Sequence, residues 1–139
     1  MKTMKQILFV ALVAILWVSV TMAAEKPGQS AMPCPTVVYQ SKFPLTVKGA
    51  EYDLLTIIMD FPPGAGVPRH IHGGSTLVTV LSGEITLKEK NADIVKKTGE
   101  SWTEKPGDEH AVVNAGTATV RVAISMLLPK GAEATTVVK

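Results

Sequence analysis

The sequence predicts a single all-β domain, an antiparallel barrel or sandwich, and three observations predict it. The chain has 139 residues, the size of one domain. Short apolar and β-branched runs recur along it about every 8 to 12 residues, with Gly, Pro or Asn between them. Beyond residue 30 no stretch keeps the 3.6-residue apolar period of an amphipathic helix.

The chain opens differently. Lys2 and Lys5 precede an apolar run at residues 7–20, broken only by Ser19, and Thr21, Met22, Ala23 and Ala24 follow. A basic start, an apolar middle and a small-residue exit describe a secretory signal peptide over residues 1–24, cleaved after Ala23 or Ala24. The run is shorter than the roughly 20 residues of a comfortable membrane span, so an uncleaved anchor is the weaker alternative. The expected location is the periplasm or the extracellular space, with no membrane association once the signal is removed. Without Lys2 and Lys5 the basic residues fall from 14 to 12, against 12 acidic ones. A near-neutral domain with no basic patch predicts no nucleic-acid partner. Cys34 is the only cysteine and lies between Pro33 and Pro35, with no intrachain partner and no neighbouring cation to activate it.

Residues 25–35 contain three prolines, a glycine and a serine and read as a flexible lead-in. The domain proper is expected over residues 36–128. Its strands are read at residues 36–39, 52–61, 76–81, 85–88, 94–95, 110–113 and 120–128. Pro62, Pro63 and Gly64 end the second of them, and Ser82-Gly83-Glu84 reads as a hairpin turn. Residues 129–139 are a tail or a last edge strand. Aromatic residues are only 5% of the chain, so the core must rest on Val, Ile, Leu and Met. Met59, Val78 and Val80 read as barrel filling, and in a small barrel such side chains leave room for at most one small ligand.

The chain has three histidines. His70 and His72 are two apart, so in a strand they project from one face and both rings can reach one ion. Imidazole suits Zn, Cu, Fe and Ni. An isolated pair is a weak signal, but its surroundings strengthen it. Gly64 lies six before His70 and Gly83 eleven after His72. Downstream, Gly99 and Gly107 lead to His110, and Asn114 stands four beyond it.

These two blocks resemble the paired motifs of the cupin superfamily, G-x5-H-x-H-x3-4-E-x6-G and G-x5-P-x-G-x2-H-x3-N. Gly64, His70, His72 and Gly83 match the first, and Gly99, Gly107, His110 and Asn114 match the second. The resemblance implies a cupin-type antiparallel β-barrel, the double-stranded β-helix or jelly roll. It also implies one divalent transition metal (Zn, Cu, Fe, Mn or Ni) held by His70, His72 and His110, the third from a facing strand. A homodimer joined through an edge strand is a further expectation from the family.

Two positions depart from the motifs. Lys105 stands where the second has proline. Thr76 stands where the first has its glutamate, and a hydroxyl cannot supply the carboxylate ligand. Three neutral imidazoles would leave the ion its full +2 charge, and an ion so held acidifies its bound water. Glu100, Glu104 and Glu109 are the acids that could replace the carboxylate, but each reads as a solvated surface residue, the usual fate of Glu. Alternation turns Glu109 away from His110, and Arg69 away from His70. Thr76, Trp102, Met59 and Val78 are expected to line the pocket.

Two function classes follow. One is a metal-dependent enzyme on a small molecule, of the dioxygenase or isomerase kind. The other is a non-catalytic envelope module that senses or sequesters a metal or a small ligand. The fold alone does not choose between them.

Overall fold

A computed structural model describes residues 32–139. The signal peptide read at residues 1–24 and most of the lead-in, 25–31, lie outside the described residues. Those described form ten strands and no helix: β1 (Thr36–Val47), β2 (Ala50–Phe61), β3 (Gly66–Ile71), β4 (Ser75–Ser82), β5 (Glu84–Lys88), β6 (Asp93–Lys97), β7 (Ser101–Glu104), β8 (His110–Val113), β9 (Val120–Pro129) and β10 (Thr136–Val137). They make two five-stranded sheets, ordered β1-β2-β9-β4-β7 and β10-β3-β8-β5-β6, with antiparallel pairing throughout.

The core lies between the sheets. Strand alternation sends one set of side chains inward from each. Val78, Val80, Val120 and Val122 from the first sheet meet Ile85, Leu87 and Val112 from the second, around Phe61. A second cluster of Leu55, Met126 and Leu128 continues it. One aromatic ring among branched aliphatics agrees with the aliphatic core that composition demands.

The structure adds to the strand reading in three places. β1 runs on to Val47. Its second half contains Pro44, which cannot donate to a ladder but is tolerated at a sheet edge, and β1 is such an edge. β3 is obscured in the sequence by Gly66, Pro68 and Arg69, and its pairing with β8 carries an irregularity between Val67 and His70. β7 has four residues, too few for a pattern to show. The tail contributes β10, an edge strand paired with β3 through Thr136 opposite Ile71 and Val137 opposite His70. At the other end, Pro33 O accepts a 3.2 Å hydrogen bond from Gly66 N, so the last residues of the lead-in lie along β3.

Asn114 joins the turns of the barrel. It is completely buried. Its amide donates to Phe61 O at 2.7 Å and Ala118 O at 2.8 Å, and its carbonyl accepts from Gly116 N at 2.9 Å. Its backbone pairs with Gly64 N and Ala65 O. The turn after β2 and the turn after β8 are therefore held by one side chain whose polar atoms are all satisfied.

Candidate metal centre

His70 lies in β3 and His72 one residue past its end. His110 begins β8, the antiparallel neighbour of β3 in the same sheet, and is the direct register partner of His70. Two rings come from one strand face and the third from the adjoining strand. Ring centroids are 4.9 Å apart for His70 and His72, 4.2 Å for His70 and His110, and 5.2 Å for His72 and His110. One donor atom from each ring lies within 4.8 Å of the other two, and all three residues are buried.

Their tautomers follow from their partners. Nδ1 of His70 lies 2.8 Å from Pro68 O, Nδ1 of His72 2.8 Å from Ala134 O, and Nδ1 of His110 3.0 Å from Asp108 O. A carbonyl oxygen only accepts, so each Nδ1 carries the proton and donates it. In the neutral form each Nε2 is then a bare lone pair. This is the arrangement that fixes a metal-binding histidine. The turn before His110 is tied to the other two by Gly107, whose N donates to His72 O at 3.1 Å. That turn needs a φ of 82° at Gly107, a conformation side chains with a Cβ rarely adopt.

The tail supplies part of this frame. Besides Ala134 O, the Thr135 hydroxyl lies 3.2 Å from His72 Nδ1. Gly73 N donates to Glu133 O at 3.2 Å, and Val138 N to Arg69 O at 2.9 Å. Residues 133–138 thus strap the strand that carries two of the three donors, a role that a mixed polar stretch with no motif does not announce. Deleting residues 133–139 frees the His72 ring and is expected to weaken metal binding about 10- to 100-fold, the usual loss when a ligand's outer partner is removed. Equilibrium metal competition on the truncated chain checks this.

Glu104 overturns the surface reading of the candidate acids. Glu100 and Glu109 are exposed, and Glu109 pairs with Arg69 at 3.6 Å on the outer face. Glu104 is only 7% exposed. Its Oε1 lies 3.0 Å from His110 Nε2 and its Oε2 3.1 Å from His72 Nε2. Trp102 Nε1 donates to Oε1 at 2.7 Å. Alternation held the signal: Trp102 and Glu104 are two apart in β7, so a Trp102 that faces inward carries Glu104 with it. Thr76, the register partner of Glu104, is buried too, but its hydroxyl donates to Gly74 O at 3.2 Å.

The electrostatics call for a cation. Burial alone would raise the Glu104 carboxyl, but its contact with His110 leads the effects that outweigh burial and hold it at about 2. Burial works downward on His110 as well, yet the Glu104 carboxylate raises it above the usual imidazole value. A proton on His110 Nε2 satisfies Oε1. It leaves Oε2 buried without a hydrogen-bond donor among the described residues, facing the His72 lone pair. Burial pushes His70 down to about 4, so its Nε2 stays open at neutral pH. The three converging imidazole donors fit a divalent ion, and Glu104 flanks two of them.

The pH dependence of binding follows with a definite sign. Protons compete with a metal for Nε2, so affinity falls as pH falls. The raised His110 takes a proton at higher pH than His70, which stays open down to about 4. Below neutrality the affinity is expected to drop about tenfold per pH unit for each proton displaced, and calorimetry in buffers of different ionisation heat counts those protons.

The donors open into an interior cavity of about 260 Å³, whose wall includes Met59, Val78, Trp102, Glu104 and the three histidines. Thr76 is not part of that wall; it borders a separate, more open depression with Leu77 and Lys105. A larger outer basin of about 650 Å³ lies beyond Trp102, Glu104 and His110, edged by Arg69, Lys90 and Glu109. Trp102, Glu104 and His110 border both spaces.

The fold and this histidine cluster define the chain as a β-barrel protein equipped for a buried metal. Residues 57–127 match the cupin domain family, and the chain belongs to it. No curated protein matches the sequence. Among solved structures it is similar to an uncharacterised double-stranded β-helix protein from Klebsiella pneumoniae, at 22% identity over 81% of this chain and 89% of that one, TM-score 0.57. It is also similar to a cupin superfamily protein from Desulfitobacterium hafniense, at 15% identity over 66% of this chain and 79% of that one, TM-score 0.51. A cupin domain from Schizosaccharomyces pombe aligns at 15% identity over 67% of this chain and 63% of that one, TM-score 0.52. These likenesses concern the fold.

Proposed function

We propose that the protein is an exported, metal-dependent enzyme acting on a small, largely apolar molecule, of the dioxygenase or isomerase kind. The observation that carries this reading is the cavity beside the donors. The histidines face a largely apolar pocket of about 260 Å³ with Met59, Val78, Ile57 and Phe61 in its wall, and a pocket of that kind selects small apolar ligands. A bound divalent metal would supply Lewis-acid polarisation or oxygen activation there. The chain's own residues do the rest. His70, His72 and His110 present oriented lone pairs, and Trp102 and Met59 exclude water from the wall beside them. The test is oxygen uptake and product analysis on the metal-loaded protein with diketones, flavonoids and hydroxy-acids. Metal-dependent turnover supports the reading. No turnover, together with a Co(II) spectrum that azide and these compounds leave unchanged, overturns it.

That second result would favour a binding module that sequesters or senses a metal. The observation on its side is Glu104, whose buried carboxylate closes one flank of the histidine cluster. Export rests on the signal-like residues 1–24, and amino-terminal sequencing of the envelope protein should find Ala24 or Glu25 first.

We also propose a homodimer through β1. Every residue of this strand but Leu45 is exposed, so both of its faces are open. They carry Val37, Val38, Tyr39 and Val47, and Phe43 is 65% exposed. An edge strand so apolar is a natural site for a second copy to pair. Light scattering that shows a monomer at micromolar concentration would dismiss it.

A further inference from the structure

We propose that Glu104 is the fourth, anionic ligand of the metal centre, contributed from β7 across the sandwich. His70 and His110 belong to one sheet and His72 directly follows its strand β3, while Glu104 belongs to the other sheet. Its two oxygens stand 3.0 and 3.1 Å from Nε2 of His110 and His72, the atoms that the Nδ1 bonds leave as lone pairs. A carboxylate against two lone pairs in a buried place is repulsive unless a positive charge sits between them. Oε2, buried with the three rings, has no hydrogen-bond donor among the described residues. The Trp102 bond to Oε1 fixes the carboxylate plane in the way that outer partners orient ligating groups.

The position has its own logic. Glu104 and Thr76 are register partners on neighbouring strands of one sheet, and paired residues project from the same face. An inward carboxylate at 104 therefore supplies from β7 the charge that Thr76 cannot supply from β4. The consequence for specificity is direct. With Glu104 bound, the ion carries a net charge of +1 rather than +2. The site then holds neutral or weakly acidic chelating molecules in preference to strong anions, in keeping with the apolar cavity.

This inference rests on metal binding by the histidines, and the experiment separates the two. The full chain, wild type and Glu104→Gln, is titrated with Zn(II) against a chromophoric competitor, and both are loaded with Co(II) for visible spectroscopy. Glutamine keeps the shape and an acceptor for Trp102 but loses the charge. The expected result is affinity lower by about 100-fold, still saturable at one site, with shifted Co(II) bands. Equal affinity and an unchanged spectrum would overturn the role of Glu104 and leave the histidine site standing. No saturable binding by the wild type would overturn both. A second measurement needs no variant: infrared difference spectra of the wild type on Zn(II) loading should show one carboxylate changing its stretching frequencies. No carboxylate change there also overturns the proposal.

Discussion

Replacing His70 with alanine is expected to cost about 100-fold in metal affinity while leaving the barrel folded. The binding free energy of a four-ligand zinc site is about 10–16 kcal/mol, so one ligand accounts for about 3–4 kcal/mol, or at least a hundredfold. His70 is the cleanest of the three to test. Its ring bonds only Pro68 O, two residues away, whereas His72 holds the tail and His110 touches Glu104. Its pairing with β8 runs through the backbone, which the substitution keeps. The effect is readable as heat stability. With zinc at 1,000 times the wild-type Kd, binding adds about 4 kcal/mol to the wild type, and a hundredfold weaker site gains only about 1.4 kcal/mol. The zinc-induced rise in Tm should therefore shrink by about two thirds, while the metal-free Tm values stay close. Equal zinc-induced shifts would remove His70 from the ligand set.

Asn114→Ala is expected to be the most destabilising single polar substitution, by about 3 kcal/mol or more. Three buried hydrogen bonds vanish together, leaving Phe61 O and Ala118 O short of a donor and Gly116 N without its acceptor. Each such orphan costs about 1–3 kcal/mol unless water reaches it. For a domain of this size the Tm should fall by on the order of 15 °C. Asn114→Asp separates hydrogen bonding from packing. It keeps the shape but turns an acceptor toward two carbonyl oxygens, so it should be at least as damaging. Thermal unfolding followed by circular dichroism decides, and a loss under about 3 °C for both variants would refute the account of this residue.

Much of the architecture is legible in the sequence because turn chemistry and alternation are local. The run at residues 110–113 and the turn at Gly83 need no tertiary information. The three histidines are legible for the same reason, since two share a strand face and the third follows the second turn motif. What is hidden depends on pairing. β3 and β7 are short and interrupted, and become strands only because β8 and β4 hydrogen-bond to them. The twelve residues of β1 show no inward-outward alternation because neither of its faces is covered. Glu104 was misread for a related reason. Taken singly, a glutamate belongs in water, and only the opposite sheet, bringing His72 and His110 to within about 3 Å, makes burial favourable. The tail at residues 133–138 carries no pattern of its own, because its carbonyls rather than its side chains do most of the work at His72.

The sharpest single test is X-ray absorption at the zinc edge on the loaded full chain. Three imidazole nitrogens meeting at one ion predict nitrogen and oxygen neighbours at about 2.0–2.1 Å, with outer-shell scattering that fits three rings. A sulfur neighbour at about 2.3 Å, or scattering that fits one imidazole or none, would contradict it.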